Sequence, residues 1–274
     1  MSERDVIART PEPNTVESLS RDLSALGVEP GMVLLVHASL SALGWTVSGA
    51  VTVVLALEAA VRDYGTIIMP TQSGDLSDPA EWAHPPVPKA WWETIRREMP
   101  AFHPDMTPSR GMGVIPECFR TQPGVVRSLH PHDSFAARGE RAIEICSDHE
   151  LDFGLGEGSP LRRIYDLHGW VLLLGCGFES NTSFHLAEYR AEYGRKEIVW
   201  RYAPLEITGH RRWKQFRDVN IDSDDFVELG RSFRKHATSE IREGRVGGAP
   251  ALLFPQRACV DYAVRWLPDR KSVV

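Results

Sequence analysis

Apolar residues in the first seventy positions recur with two different spacings. Residues 15–26 carry apolar side chains at helical intervals and are followed by Gly27, and residues 50–64 carry a second helical stripe. Short apolar runs at 32–36 and 66–69 are typical of buried strands. A strand, a helix and a strand within about forty residues predict a βαβ unit with a parallel strand pair and a right-handed crossover.

The remainder of the chain predicts further strands and helices around one long irregular segment. Residues 70–110 are rich in Pro, Trp and polar side chains, and a loop of this length is usually a lid or a binding segment. Two loosely alternating segments, 198–207 and 213–219, flank Gly209-His210 and predict an antiparallel hairpin attached to the core. The other predicted elements are strands at 134–138, 171–174 and 251–254 and helices at 91–99, 113–120, 142–147, 160–165, from 180 onward, 222–236 and 256–266.

These elements predict a single α/β domain over residues 1–274, with three layers in the order α/β/α, a mostly parallel central sheet and an added antiparallel hairpin. The composition, 42% hydrophobic and 25% charged, is that of an ordinary globular protein. No apolar run approaches the roughly 20 residues that span a bilayer, and the charged N-terminus has no apolar region behind it. We therefore expect neither a membrane partner nor a signal peptide.

The net charge and the cysteine pattern indicate which cellular compartment and which kinds of partner to expect. The net charge is −6 and no basic stripe rises above it, which argues against nucleic acid as a partner. The four cysteines lie far apart and form no CxxC pair, a pattern typical of reduced thiols, so we expect a cytoplasmic protein. The sequence does not fix the oligomeric state, and a homodimer is compatible with it.

The segment after strand 171–174 is the strongest candidate for chemistry. A glycine turn, Gly175-Cys176-Gly177, leads into a polar cap and then into a predicted helix that carries His185 and Glu188. Residues at i and i+3 share one helix face, so an imidazole and a carboxylate lie side by side at the C-terminal edge of a sheet, where open α/β sheets bind ligands. The alternative is a structural histidine in the core.

Two further loops have the composition of ligand sites. Residues 37–49 follow a strand and precede a helix, so amides at the helix N-terminus could hold a phosphate; the alternative is a connecting loop capped by Ser48. Arg110 lies beside small residues, which fits either an anion site or a tight turn in which the arginine pairs with Glu117.

Two histidines close in sequence, His130 and His132, lie beside Asp133 and suggest metal ligation at first sight. No third ligand follows at a recognised spacing, so we expect no metal, and a zinc hydrolase built on these three residues is the weakest alternative. His130, held by the adjacent Pro131, is then a positioned polar residue that is either catalytic or structural.

Taken together, these motifs resemble the aminoglycoside 3-N-acetyltransferase family, which is distinct in fold from the GNAT acetyltransferases. The resemblance extends over most of the chain, from residue 36 to residue 249, and rests on many ordered matches. The matching segments are His37-Ala38-Ser39-Leu40-Ser41-Ala42-Leu43-Gly44, Met69-Pro70-Thr71, Ser73-Gly74-Asp75, Ser109-Arg110-Gly111-Met112-Gly113, Arg127-Ser128-Leu129-His130-Pro131, Gly158-Ser159-Pro160 and His185-Leu186-Ala187-Glu188.

The resemblance implies transfer of an acetyl group from acetyl-CoA to the 3-amino group of a deoxystreptamine aminoglycoside. The family's reactive histidine maps onto His185, with Glu188 beside it, and His130 is the second candidate. By the same similarity, the contacts to the co-substrate acetyl-CoA are His37, Ser39, Leu40, Ser41, Ser48, Gly49, Arg110, Gly111 and Met112.

The chemistry of these residue types agrees with that reaction. A substrate ammonium must lose a proton before it attacks a thioester, and a neutral imidazole is suited to take it. A carboxylate on the other ring nitrogen, here that of Glu188, fixes the tautomer and stabilises the imidazolium. The thioester oxygen becomes an oxyanion, so a donor such as Thr71 or a loop amide is expected to face it.

The acceptor is less well defined than the acetyl transfer. An aminoglycoside is a polycation, so carboxylates are expected to line its cleft, but Arg211, Arg212 and Arg217 in the hairpin would oppose binding. The alternatives are a different amine, biosynthetic or unknown, and a non-catalytic protein that binds a cationic ligand or CoA. The candidate carboxylates are Asp75, Glu81, Asp105, Glu188, Glu192 and Asp218.

Overall fold

The computed structural model describes residues 3–271, which fold around a seven-stranded sheet with the strand order β3-β4-β2-β1-β5-β9-β8. Strands β6 and β7 form a separate two-stranded antiparallel sheet. The strands of this part of the chain are β1 (Val33–Ala38), β2 (Thr66–Pro70), β3 (Val126–Arg127), β4 (Phe135–Gly139), β5 (Trp170–Leu174), β6 (Ile198–Ile207), β7 (His210–Val219), β8 (Arg242–Val246) and β9 (Ala249–Pro255).

Strand direction divides the large sheet into a parallel centre and mixed flanks. Strand β1 pairs in parallel with β2 and with β5, whereas β4 is antiparallel to both β2 and β3, and β9 to both β5 and β8. Five strands (β1, β2, β3, β5 and β8) therefore run in one direction, and β4 and β9 run in the other. The predicted mostly parallel sheet, its first βαβ unit and the separate antiparallel hairpin are confirmed.

Helices cover both faces of the large sheet, because successive residues of its buried strands point to opposite sides. Leu34 of β1 belongs to the apolar core with α2, α4 and α6, and Leu35 belongs to the core with α7 to α11. The predicted α/β/α layering is confirmed. The helices described are α1 (Glu3–Ala8), α2 (Val16–Leu26), α3 (Leu40–Leu43), α4 (Ala50–Val61), α5 (Trp92–Glu98), α6 (Val114–Arg120), α7 (Ala142–Cys146), α8 (Pro160–Asp166), α9 (Ser183–Arg190), α10 (Phe226–His236) and α11 (Gln256–Lys271).

Four elements are absent from the prediction, and each carries a weak apolar signal. Helix α1 buries no residue, and α3 and β3 contain only four and two residues. Strand β8 lies at the edge of the sheet, where only Val246 of its five residues is buried. Over residues 3–271, no helix combines the length and the apolar character needed to cross a membrane.

Candidate active site

The carboxyl ends of the three parallel central strands open onto two adjoining cavities. The larger, of about 820 Å³, lies between the loop after β1, the start of α4 and residues 111–114. The smaller, of about 260 Å³, is lined by residues that include His37, Thr182 and His185. Five residues line both cavities and thus form a shared strip: Ala38, Gly111, Met112, Cys176 and Ser180.

The predicted pairing of His185 with Glu188 is present on one face of α9. Nδ1 of His185 lies 2.6 Å from Oε2 of Glu188, a carboxylate that is completely buried, while 13% of the His185 side chain remains exposed. Since the carboxylate accepts the hydrogen of Nδ1, Nε2 is the lone-pair nitrogen available for a ligand. The imidazole lines the smaller cavity, so this lone pair can serve as a base there.

Packing on both sides of α9 holds the imidazole in place. The Asn181 side chain accepts from the backbone N–H of Ser183, which fixes the start of the helix. On the other side, the ring centre of Phe226 from α10 lies 4.8 Å from the ring centre of His185 and 5.2 Å from that of Phe184. The imidazole is therefore confined between a buried carboxylate and an aromatic ring.

A second imidazole, His37 at the end of β1, lines the same smaller cavity. Burial, and to a smaller extent the positive charge that His185 can carry, lowers the pKa of His37 to about 3. Nε2 of His37 lies 3.4 Å from the hydroxyl of Thr182, the residue that precedes α9. The resemblance placed His37 among the acetyl-CoA contacts, whereas the structure places its ring beside Thr182 and His185.

The larger cavity gathers most of the residues expected to hold acetyl-CoA. Ser39, Leu40, Ser41, Ser48, Gly49, Gly111 and Met112 all line it. The residue that caps α4 is Gly49, so the alternative of a Ser48 cap is wrong. Among residues 3–271 no side-chain capping bond is seen at this helix start, and its amides, at the positive end of the helix dipole, suit an anionic group.

A family model described as aminoglycoside 3-N-acetyltransferase matches residues 35–268. The chain belongs to that family. The SPbeta prophage-derived aminoglycoside N(3')-acetyltransferase-like protein YokD of Bacillus subtilis is 45% identical over 98% of both chains. Aminoglycoside N(3)-acetyltransferase VIII of Streptomyces fradiae is 39% identical over 98% of this chain and 97% of that one.

Solved structures agree with the family assignment. The crystal structure of YokD superimposes with a TM-score of 0.95 at 44% identity, over 99% of both chains. The structure of AAC-IIIb in a binary complex with CoASH has a TM-score of 0.84 at 32% identity, over 96% of this chain and 99% of that one. The predicted acyltransferase class is confirmed by this membership of the 3-N-acetyltransferase family.

Two residues expected to take part in catalysis lie away from both cavities of this family member. Nδ1 of the fully buried His130 accepts from the backbone amides of His132 and Asp133, so its Nε2 hydrogen donates to the carbonyl of Leu151 at 3.1 Å. Burial lowers the pKa of His130 to about 4. The occupied ring nitrogens indicate a structural histidine, which also argues against the zinc alternative.

Thr71 is fully buried, and its hydroxyl donates to the carbonyl of Ser134 at 3.1 Å. The backbone carbonyl of Thr71 accepts in turn from Arg127 at 2.6 Å. These bonds tie the end of β2 to β4 and do not bring the hydroxyl to either cavity. An oxyanion donor must therefore come from another residue.

Arg110 does not form the predicted pair with Glu117, and its partner in the structure is another carboxylate. Its guanidinium lies 3.0 Å from the carboxylate of Asp75, and it is not among the residues that line the larger cavity. Glu117 is bound instead by Ser109 and by Nε of Arg120 at 2.8 Å, so the expected Arg110–Glu117 pair is wrong. These contacts lower the pKa of Glu117 to about 2.

The candidate acceptor carboxylates are dispersed, and none of the five that lie outside the His185–Glu188 pair lines the two cavities. Glu81 binds Arg201 at 2.8 Å, and Asp218 is buried, where it accepts from Tyr189 and from the backbone of Val219. Asp75 binds Arg110 as described, Asp105 lies in an exposed turn, and Glu192 is 93% exposed beside Lys196.

The acidic side chain that does line the smaller cavity is Glu179, which was not among the carboxylates predicted from the sequence. It lies in the turn between β5 and α9, where it accepts from the backbone of Gly177 at 2.8 Å. Its position, six residues before His185 in the same connection, is the signal that could have found it. Thr182, part of the polar cap expected to start the helix or bind a ligand, lines the cavity as well, as do Gln72 and Ser223, which were not singled out.

Proposed function

We propose that this chain transfers the acetyl group of acetyl-CoA directly to an amino group of an aminoglycoside, with His185 as the general base. The observation that carries this proposal is the His185–Glu188 pair: its free imidazole nitrogen faces a cavity that adjoins the larger cleft. A base must stand at the junction of two substrates to act on one as it attacks the other.

The larger cavity suits acetyl-CoA. The loop of Ser39 to Ser41 and residues 111–113 can flank an extended pantetheine chain, and the first-turn amides of α4 suit its phosphates. The thioester would then lie at the shared strip, within reach of the smaller cavity. The CoASH complex of the similar AAC-IIIb structure supports a coenzyme A thioester as the co-substrate.

In the transfer step, His185 accepts the proton of the attacking amine at Nε2 while Glu188 holds the opposite nitrogen. The imidazolium then returns that proton to the departing thiolate. General-base help of this kind contributes ~10²–10⁴-fold, and the rest of the acceleration comes from positioning both substrates.

Direct transfer is favoured over an acetyl-enzyme by the state of Cys176, the thiol on the shared strip. Its Sγ donates to the carbonyl of His37 at 3.3 Å, and burial raises its pKa to about 11. A thiol is a strong nucleophile only as the thiolate, so Cys176 is a poor acetyl carrier at neutral pH. We expect Cys176→Ser to keep most of its turnover.

The names of the relatives support an aminoglycoside amine at position 3 as the acceptor. Two of the three hairpin arginines are held by other groups, since Arg211 donates to the carbonyl of Met99 and Arg217 is bound by the carboxylate of Asp152, and neither lines the two cavities. A second candidate, a less highly charged amine, is favoured by the single acidic side chain, Glu179, among the residues that line the smaller cavity.

An acceptor screen tests the proposal. Purified protein is mixed with acetyl-CoA and gentamicin, kanamycin, neomycin or a set of simple diamines, and release of the CoA thiol is followed. Turnover of an aminoglycoside, with the product shown by NMR to be acetylated at the 3-amino group, is the expected result. Turnover of a diamine alone supports the second candidate, and equal turnover by His185→Asn removes the base from the proposal.

A further inference from the structure

We propose that Thr182, backed by His37, supplies the hydrogen bond that stabilises the oxyanion formed on the thioester. This inference deepens the proposed function and rests on it. As the amine nitrogen bonds to the carbonyl carbon, the C=O π electrons move to the oxygen; they return when the C–S bond breaks, and the thiolate takes the proton held by His185. A donor aimed at that oxygen stabilises the charge at its maximum.

The geometry places Thr182 next to the base. Its backbone carbonyl accepts from the amide of His185 at 3.0 Å, so the two residues lie on the same turn at the start of α9. Both side chains line the smaller cavity, and His37 enters the same cavity from the end of β1. A carbonyl oxygen that projects from the shared strip would therefore meet Thr182 on the side of His185.

The Thr182 hydroxyl is only loosely held in the structure. Its 3.4 Å separation from Nε2 of His37 is long for a hydrogen bond of this type, so the hydroxyl can turn toward a second acceptor. When His37 donates its Nε2 hydrogen to Thr182, the hydroxyl hydrogen becomes free for the thioester oxygen. In the chain His37–Thr182–oxygen, each hydrogen bond then polarises and strengthens the next.

The electrostatics also favour a neutral partner at this position. His185 becomes cationic during the reaction, and a second cation beside it would oppose that proton transfer. Burial keeps His37 uncharged at physiological pH, since its pKa lies at about 3. A neutral imidazole donates a hydrogen bond without adding a like charge.

Gln72 is the rival donor, because its side chain lines the same cavity and carries an NH₂ group. The kinetic test compares Thr182→Val, Thr182→Ser and Gln72→Leu with the acceptor found in the screen. We expect Thr182→Val to lower kcat by ~10²–10³-fold with little change in KM for acetyl-CoA. Thr182→Ser should recover most of that loss. Gln72→Leu changes the lining of the same cavity and can raise KM for the acceptor, but its kcat should fall far less than that of Thr182→Val. The pH at which activity falls should be the same in every variant because His185 is untouched.

A second measurement needs no acceptor and so separates this inference from the proposed function. Infrared difference spectra of bound acetyl-CoA carrying ¹³C at the carbonyl report the strength of its hydrogen bond directly. We expect the wild-type protein to lower the stretching frequency relative to free acetyl-CoA. We expect that shift to disappear in Thr182→Val and to shrink in His37→Gln, with acetyl-CoA affinity, measured by calorimetry, unchanged in Thr182→Val.

An undiminished shift in Thr182→Val would overturn the inference even if aminoglycosides are acetylated. Loss of the shift in Gln72→Leu instead would reassign the donor and overturn it as well. If no tested amine is turned over but the shift depends on Thr182, the donor assignment stands and the acceptor proposal fails. Because the Thr182 side chain is only partly buried, its valine variant is expected to fold.

Discussion

Glu188 is a carboxylate without exposure to solvent, held 2.6 Å from the imidazole of His185. A buried carboxylate is unfavourable unless it is hydrogen-bonded, so the bond to His185 satisfies Glu188 as much as it orients the imidazole. The pair therefore links stability and catalysis in one contact. If His185 is the proposed base, removing the Glu188 charge should lower the rate of acetyl transfer without weakening acetyl-CoA binding in the larger cavity.

We expect Glu188→Gln to lower kcat by about 10²-fold or more, because a neutral amide cannot stabilise the imidazolium and can hold the wrong tautomer. KM for acetyl-CoA should stay within about twofold. Steady-state kinetics with thiol detection measures both. The matched control is Glu192→Gln, four residues further along the chain and 93% exposed, which should leave kcat unchanged. An equal loss of kcat in this control would contradict the role given to Glu188.

Asp218 is a buried carboxyl that accepts from the Tyr189 hydroxyl and the Val219 amide and forms no ion pair with any of residues 3–271. Burial and the nearby charge of Asp133 raise its pKa to about 7, whereas an unfolded aspartate titrates near 3.9. Between those two pH values the folded chain binds a proton that the unfolded chain does not, so the free energy of unfolding falls as pH rises through this window and then levels off.

We therefore expect Asp218→Asn to stabilise the protein more at pH 8 than at pH 5, with a difference on the order of 2 kcal/mol. The asparagine keeps an oxygen that can accept from the Tyr189 hydroxyl. Urea unfolding at the two pH values measures the difference. Asp152→Asn is the control, because the bond to Arg217 lowers the pKa of Asp152 and this variant should show no gain at pH 8. A pH-independent loss in Asp218→Asn contradicts the prediction.

Local sequence predicted the contact between His185 and Glu188 but not all of the neighbours of this pair. His185 and Glu188 follow from a helical spacing, which depends on the local chain alone. The placement of Thr71 depends on a distant strand, because antiparallel pairing of Pro70 with Phe135 brings Ser134 against the Thr71 hydroxyl. No spacing within one segment contains that information.

At the level of elements, α9 depends on α10 for its position. Phe226 of α10 contacts both Phe184 and His185, and Gly230 of the same helix lies directly over Phe178. A Cβ at Gly230 would stand 2.1 Å from Cγ of Phe178. Glycine inside this helix is therefore required by a close approach, although glycine weakens a helix intrinsically.

We expect Gly230→Ala to destabilise the fold by about 1–2 kcal/mol, because overpacking outweighs the ~1 kcal/mol gain in helix propensity. The displaced helix should also lower kcat by moving Phe226 away from His185. Chemical denaturation and the kinetic assay measure the two effects. The control is Val227→Ala, at a neighbouring position that is 39% exposed, which should change the free energy of unfolding and kcat only slightly. If Gly230→Ala stabilised the fold instead, helix propensity would outweigh the overpacking.

Element types followed from the apolar periodicity, whereas strand direction and edge strands did not. A buried strand gives the same apolar run whichever way it runs, so β4 and β9 carry no mark of their reversed direction. Strand β8 is charged at Arg242, Glu243 and Arg245, as expected for an exposed edge, and this hides it from a search for apolar runs.

For the whole molecule, the sheet separates two apolar cores and leaves the cleft at its carboxyl edge, where α4 and the loop after β1 meet. A ligand that fills this cleft binds the folded chain and not the unfolded one. We expect CoA at about 100 times its Kd to add about 2.7 kcal/mol to stability, which raises Tm by roughly 5 °C.

Thermal unfolding followed with and without CoA measures this shift. Ser41→Trp fills the larger cavity from an exposed position and should abolish the shift without lowering Tm in the absence of ligand. Lys235→Ala, on the distant face of α10, should keep it. A shift that survives in Ser41→Trp places CoA elsewhere.

The five residues of the shared strip have a kinetic consequence. If the strip holds the thioester, acetyl-CoA and the product CoA occupy the same larger cavity and differ only by the acetyl group at its inner end. Most of the binding surface is then common to both, so CoA should compete with acetyl-CoA at comparable concentrations. Turnover would follow the ratio of acetylated to free coenzyme, which couples the activity of this protein to the metabolic state of the cell.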